Sequence, residues 1–265
     1  MLSQSQIKRL KSLHQKKYRQ QEEEILLEGH RLILQALIAE ADIKQAWMTE
    51  NYAKSTLGKE LTQILTEKNI LFETVFQKSI VRICDSQNSQ GIIAVMSLPE
   101  YKALKDIPRQ SLYFDNISDP GNMGTLLRTA VWFGINSVFL SPGCVDPLNS
   151  KVLRSAMGAH FYLQHLMTYS HDKLFERYKK DGNAILGSNM RENYRHNLQI
   201  DLEKGWILIL GSEAHGMSDS IQSYITHSIS IPGLGGMESL NVAVAGGILL
   251  HSLTASMIQL QNVKK

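Results

Sequence analysis

A chain of 265 residues with 43% hydrophobic and 20% charged residues can bury one large core or two modest ones, which excludes a disordered or fibrous protein. A net charge of +3 permits an anionic partner without requiring one. Cys84 and Cys144, the two cysteines, are far apart and outside any C-x-x-C spacing, so neither a disulfide framework nor a zinc site is indicated.

The N-terminus is charged and polar with no apolar targeting segment, and no stretch reaches membrane-spanning length without interruption. A cytoplasmic chain with no membrane contact is expected. Lys8, Arg9, Lys11, Lys16, Lys17 and Arg19 follow one another without an intervening acid before Glu22, Glu23 and Glu24. This segment suits phosphate contact, and equally a solvated helix face whose buried stripe is Ile7, Leu10 and Leu13.

Alternating apolar runs then predict strands at 25–28, 43–48, 71–75 and 92–96, with helices at 30–39 and 57–67. That alternation makes residues 1–97 a compact α/β domain. A linker is expected over 98–109, where apolar density falls and Pro99 and Pro108 bracket a lysine-containing stretch. Residues 110–265 repeat the alternation, with strands expected at 111–115, 137–141, 161–166, 184–187, 206–211 and 228–231. Such a series implies a mainly parallel, doubly wound sheet. The final helix, roughly 240–259, is apolar all round at Val242–Leu250 and rich in small residues, which predicts burial against the sheet, a partner subunit or both.

Three segments carry chemistry. Asp115–Gly124 crowds polar groups at a strand's carboxyl end, with Asn122 expected to cap the next helix and Arg128 about one turn into it. Turn chemistry and a surface ion-pair residue explain the same residues. Leu208–Met217 runs a buried strand into a polar loop with Gly211 and Glu213 at its mouth, which a generic strand-to-helix turn also explains. Ile229–Asn241 sets a glycine-rich loop between a strand and the last helix; without a G-x-x-x-x-G-K-[ST] pattern or a loop lysine, it suits a neutral, adenosine-like ligand better than a phosphate.

In order and spacing, Asn116–Arg128, Gly211–Gly216 and Ile231–Asn241 resemble the three motifs of the SpoU family, the RNA ribose methyltransferases of the SPOUT superfamily. Residues 1–97 are similar to the family's accessory domain, itself like a ribosomal-protein RNA-binding fold, at Lys16–Arg19, Leu26–Gly29 and Gln90–Val95. Ala214 stands where many members carry glycine. The resemblance implies a C-terminal α/β domain with a trefoil-knotted, mainly parallel sheet, preceded by a smaller α/β RNA-binding domain. It further implies S-adenosyl-L-methionine as cofactor, held by Gly211, Ile231 and Leu240, and a homodimer built partly by the last helix.

The implied reaction is methylation of a ribose 2′-hydroxyl in structured RNA. Its polar candidates are Asn116, Arg128, Glu213 and Asn241, with Ser239 assisting and Lys16, Lys17 and Arg19 contacting RNA. A guanidinium is a poor base, so Arg128 is expected to bind the target phosphate and stabilise a developing alkoxide. The extra N-terminal domain favours ribosomal over transfer RNA. A transfer-RNA methyltransferase and a non-catalytic RNA-binding or ribosome-assembly protein of the same fold remain alternatives. A metabolic nucleotide enzyme lacks support, because no G-x-G-x-x-G follows a first strand. The histidines show no metal-ligand spacing, and no metal is expected.

Overall fold

The computed structural model describes residues 2–188, 204–212, 216–236 and 239–263, with side chains of the last helix described through residue 255. In chain order its elements begin α1 (Gln4–Ser12), α2 (Lys16–Glu22), β1 (Glu24–Glu28), α3 (His30–Ile38) and β2 (Ile43–Thr49). There follow α4 (Glu50–Lys54), α5 (Thr56–Glu67), β3 (Leu71–Val75), α6 (Gln77–Ile83), β4 (Ile92–Ser97) and β5 (Gln110–Asp115). Next come α7 (Pro120–Trp132), β6 (Ser137–Leu140), α8 (Ser150–Ala156), β7 (His165–Thr168) and α9 (His171–Lys180). The chain closes with β8 (Ala184–Ser188), β9 (Trp206–Gly211), α10 (Asp219–Gln222), β10 (His227–Ile229) and α11 (Val242–Val263). Two compact units result, Met1–Glu100 with Asp146–Tyr162, and Tyr101–Val145 with Leu163–Lys265.

The first unit is built on a four-stranded sheet of order β1-β4-β2-β3, in which β4 runs antiparallel to β1 and β2 while β3 is parallel to β2. Side chains alternate across a strand, and here the alternation sorts them into two cores. Ile25, Leu27, Ala46, Met48, Ile92 and Ala94 pack with α3 and α5 on one face. Leu26, Trp47, Ile93 and Val95 pack with α1 and α6 on the other. Leu153 of α8 joins the first of these cores, which is why 146–162 belongs to this unit.

In the basic N-terminal segment Ile7, Leu10 and Leu13 form the buried stripe that a helix face requires, while the six cations do not make one phosphate-facing row. The segment breaks into α1, opened by a Ser3–Gln6 capping box, and α2, whose N-cap Gln15 is extended. Lys16 and Lys17 are exposed, whereas Arg19 is only 2% exposed. Arg19 donates to the carbonyls of Leu13 at 3.1 Å and His14 at 2.8 Å and pairs with Asp146. Arg19 is therefore a structural clamp and not an RNA contact; a cation so desolvated is retained because both terminal nitrogens find acceptors.

The second unit holds a six-stranded sheet of order β10-β8-β9-β5-β6-β7, parallel at every pairing. Residues 98–109 carry neither helix nor strand, yet they are fastened down: Leu104 and Ile107 pack on the core, and Arg177 donates to the Leu104 and Lys105 carbonyls. Ile207 and Ile209 face α9 through Leu174, Phe175 and Tyr178. On the opposite face α7 lies along α11, with Leu126 and Leu210 pressed against Gly246. The segment expected as strand 161–166 is instead a 3₁₀ turn, Ala159–Tyr162, followed by β7. His160 explains the change: buried, it binds the Pro147 carbonyl at 2.7 Å, which an extended segment leaving for the sheet would break. β10 likewise stops at Ile229, ahead of Pro232, which has no N–H to donate.

Candidate active site

Because all six strands of the second sheet are parallel, their carboxyl ends share one edge. β5 and β9 are neighbours there, Asp115 pairing with Gly211, and the strand order turns back between them. Chains leaving β5 and β9 depart in opposite directions, and the crevice this opens is where open α/β sheets take ligands.

Asp115 ends β5 with its carboxylate buried and shared. Oδ1 accepts from Asn116 Nδ2 at 2.9 Å, and Oδ2 accepts from the Ser218 backbone N–H at 2.8 Å. One carboxylate thus joins the first segment to the chain beyond the second. Asn116 is exposed and sits at φ +56°, the left-handed region that asparagine tolerates better than most residues. Its N–H donates to Ser141 Oγ at 2.9 Å, and its side-chain oxygen fills the space where a Cβ on Gly143 would lie. Beside it, burial pushes the Cys144 thiol up, keeping it a neutral donor to the Phe114 carbonyl at 3.2 Å and not a nucleophile. Asp115, Ser141 and Ser218 were missed as positioning groups; the one sequence signal was an acid closing an otherwise apolar strand.

Asp119, not Asn122, caps α7, taking the Asn122 N–H at 2.8 Å while Pro120 occupies the first turn. Arg128 consequently stands in the third turn of α7, farther along than expected. It is exposed, on the helix face that also carries Gly121, Thr125 and Trp132, and no ion pair holds it among the described residues. Its Cβ tilts toward the helix N-terminus, the end at which the crevice lies.

Gly211 closes β9 where no side chain fits: a Cβ would stand 2.3 Å from the Gly216 carbonyl carbon and 2.5 Å from the Met217 nitrogen. Ser212 and Gly216 pair in an isolated bridge beside the strand end, with Gly216 at φ +68°. Glu213 lies outside the described residues. In the third segment, Ile231 is half-buried, Pro232–Gly236, Ser239 and Leu240 are exposed, and a Cβ on Gly233, Gly235 or Gly236 would meet nothing. Asn241 is tied down: Oδ1 accepts from the Ala243 and Val244 N–H groups, capping α11, and Nδ2 donates to Asn122 Oδ1 at 3.0 Å.

The three sequence segments therefore converge, the first meeting the second through Asp115 and the third through Asn122. Among the described residues, no cluster of histidine, cysteine or acidic groups is arranged to hold a metal, and no helix is long and apolar enough to cross a membrane.

A model described as the SpoU rRNA Methylase family matches residues 109–251, and one described as the MRM3-like substrate binding domain matches residues 4–94. The 23S rRNA (guanosine(2553)-2′-O)-methyltransferase RlmP of Bacillus subtilis is 30% identical over 253 residues, spanning 93% of this chain and 95% of that protein. Among solved structures, a protein from Porphyromonas gingivalis assigned to the TrmH family superposes with a TM-score of 0.82 at 30% identity, over 97% of this chain and 99% of that one. The SpoU methyltransferase AviRb from Streptomyces viridochromogenes, solved in complex with AdoMet, has the same fold, with a TM-score of 0.81 at 19% identity over 97% and 99% of the two chains.

Proposed function

The chain belongs to the SpoU rRNA methylase family, and from that premise we propose that it transfers a methyl group from S-adenosyl-L-methionine to a ribose 2′-hydroxyl of ribosomal RNA. The observation that carries this reading is the convergence of the three segments at the β5–β9 crevice, through the Asp115–Gly211 strand pairing and the Asn122–Asn241 hydrogen bond.

The crevice fits an adenosyl ligand. Gly211 lets the backbone of Gly216 and Met217 close onto the end of β9, and the exposed glycines of 233–236 present backbone with no lysine or arginine among them. Gly211, Ile231 and Leu240 would hold the cofactor, largely by backbone and apolar contact. When bound, it supplies an electrophilic methyl on a sulfonium. The remaining work falls to this chain's residues. Arg128, exposed and without an ion pair among the described residues, binds the phosphate beside the target ribose and stabilises the oxygen as its proton leaves. Asn116, with its backbone pinned by Ser141, Asn241 and Glu213 shape the pocket that orients the hydroxyl, and Ser239 adds a hydrogen bond.

The reading includes a C-terminal trefoil knot, supported by the return of residues 216–217 over Gly211 and by the contact of α11 with Leu210. It also includes a homodimer, supported by apolar side chains left open on the packed pair α7 and α11: Trp132 is 83% exposed, Val244 51% and Ile248 42%. Ribosomal RNA is favoured over transfer RNA by the substrate-binding domain match and by the RlmP relative. Free thiols at Cys84 and Cys144 suit a reducing cytoplasm.

The test is label transfer from radioactive S-adenosylmethionine to undermethylated large-subunit ribosomal RNA, with total transfer RNA in parallel. Alkali-resistant ribose label in ribosomal RNA, absent with Arg128→Ala, is the expected result. Label in transfer RNA alone overturns the substrate, and no cofactor binding overturns the reaction.

A further inference from the structure

The first unit contains a cleft of about 640 Å³ that the reaction chemistry does not use. It is lined by the start of α3, from Gly29 to Leu32, by residues of the loop from Cys84 to Gln90, and by Arg154 and Met157 of the 146–162 segment. Its volume falls within the range of small-molecule sites.

The cleft is held open by buried charge. Glu28, 7% exposed, accepts from the Asp85 N–H at 2.9 Å and the Ser86 N–H at 3.3 Å, so it fixes the loop. Arg154 is consumed by acids: it donates to Glu28 Oε2 and Asp85 Oδ2, both at 3.3 Å. Among the lining side chains Glu28 is paired with Arg154, and the exposed Arg31 remains as a second guanidinium. The first N–H of α3, that of His30, is already taken by Gln90 Oε1 at 2.8 Å. That donor is therefore closed to a ligand.

Beside Arg31, the polar groups that remain are neutral. Gln90 uses its oxygen on His30, which leaves its Nε2 donor for a ligand, and Asn88 stands exposed on the same loop. His30 Nδ1 is engaged by the Tyr52 hydroxyl at 2.6 Å, leaving Nε2 as the ring's other polar atom. Amide donors and acceptors beside the apolar Leu57 and Met157 suit a flat heterocycle with a hydrogen-bonding edge, the way proteins read unstacked bases.

We propose that this cleft receives one unpaired nucleobase of the substrate RNA, read along its edge by Asn88 and Gln90. The proposal rests on the RNA-methylation reading above. The test is filter binding of undermethylated ribosomal RNA to the full-length chain, its Asn88→Ala variant and its Gln90→Glu variant. Glutamate at 90 keeps the acceptor for the His30 N–H, removes the amide donor and adds a negative charge, so Asn88→Ala, which changes no charge, separates the lost base contact from repulsion of the RNA. Methyl transfer and S-adenosylmethionine binding are measured on the same samples. Each variant is expected to bind RNA about tenfold more weakly, within the range of one base contact, with cofactor binding unchanged. Wild-type RNA affinity in either variant overturns the cleft assignment alone, provided the wild-type protein still methylates the RNA. A wild-type protein that neither binds nor methylates ribosomal RNA overturns both readings.

Discussion

Asn241 Nδ2 donates to Asn122 Oδ1 at 3.0 Å, across 119 residues of sequence, and joins the starts of α7 and α11. The same side chain caps α11 with its oxygen, so one residue sets both the start of the last helix and its register on α7. Below this bond Leu126 meets Gly246, Thr129 meets Gly247 and the Phe133 ring meets His251 at 6.2 Å between centroids. Asn241→Ala is expected to lower stability by about 1 kcal/mol through the lost cap. Asn241→Asp retains the acceptor and should unfold near the wild-type midpoint, while its lost donation to Asn122 lowers methyl transfer. Denaturant melts and turnover measured together separate the two roles.

Gly246 and Gly247 are adjacent in α11 but differ in surroundings. A Cβ on Gly246 would stand 2.6 Å from Leu126 Cδ2 and 3.0 Å from Leu210 Cδ1, whereas one on Gly247 would have only Thr129 Cγ2 at 3.8 Å. Gly246→Ala should destabilise the protein by about 1–3 kcal/mol through overpacking. Gly247→Ala should stabilise it, by up to about 1 kcal/mol, through helix propensity. Equal effects in thermal denaturation would contradict this packing.

Arg19 and its neighbours Lys16 and Lys17 are expected to behave oppositely. Arg19→Met strands Asp146 and two backbone carbonyls and should cost about 3 kcal/mol of stability. Replacing Lys16 and Lys17 with glutamate leaves buried contacts intact, so unfolding should hardly move while ribosomal RNA affinity falls and its salt dependence becomes shallower.

Acid should weaken the first unit before its carboxylates titrate. Burial pushes the His160 imidazole down to about 4. Because Nε2 donates to the Pro147 carbonyl, Nδ1 would be the atom protonated, and Nδ1 is buried with no partner among the described residues. The unfolded state, with an ordinary histidine near 6.5, binds the proton first, so stability is complete above about pH 6.5 and declines toward pH 4, by about 3 kcal/mol in full. His30 and His165 are pushed down as well, by burial first. His160→Gln keeps a donor for Pro147 and should flatten the decline, measured as unfolding free energy against pH.

Glutamate in place of Trp132 or Ile248 should leave the monomer fold intact, since both side chains are exposed, and should shift sedimentation toward monomer at micromolar concentration. Unchanged sedimentation in both variants would count against a dimer built on α7 and α11.

Much of the fold was legible because apolar alternation and strand length report burial directly: β1 to β4 fall within a residue or two of their expected bounds, as do β5, β8 and β9. Errors arose where a residue's partner is distant. Arg19 reads as one of six solvent-facing cations, and nothing nearby reveals that Asp146 draws it inward. His160 and Phe161 look like the entry to a strand, and only the Pro147 carbonyl shows otherwise. Asp119 and Asn122 are both good caps, and the choice between them decided how far Arg128 sits along α7.

By itself, the sequence determined the α/β class, the two successive alternations and the three polar segments at strand ends, because these follow from local periodicity and backbone chemistry. Tertiary structure alone decided that Asp146–Tyr162 packs with the first unit, that Asp115 ties its own strand to Ser218, and that Asn122 meets Asn241. Each of these is a contact between residues far apart in the chain, whose energy depends on shape and desolvation at the meeting point, and neither is written in the residues on one side of it.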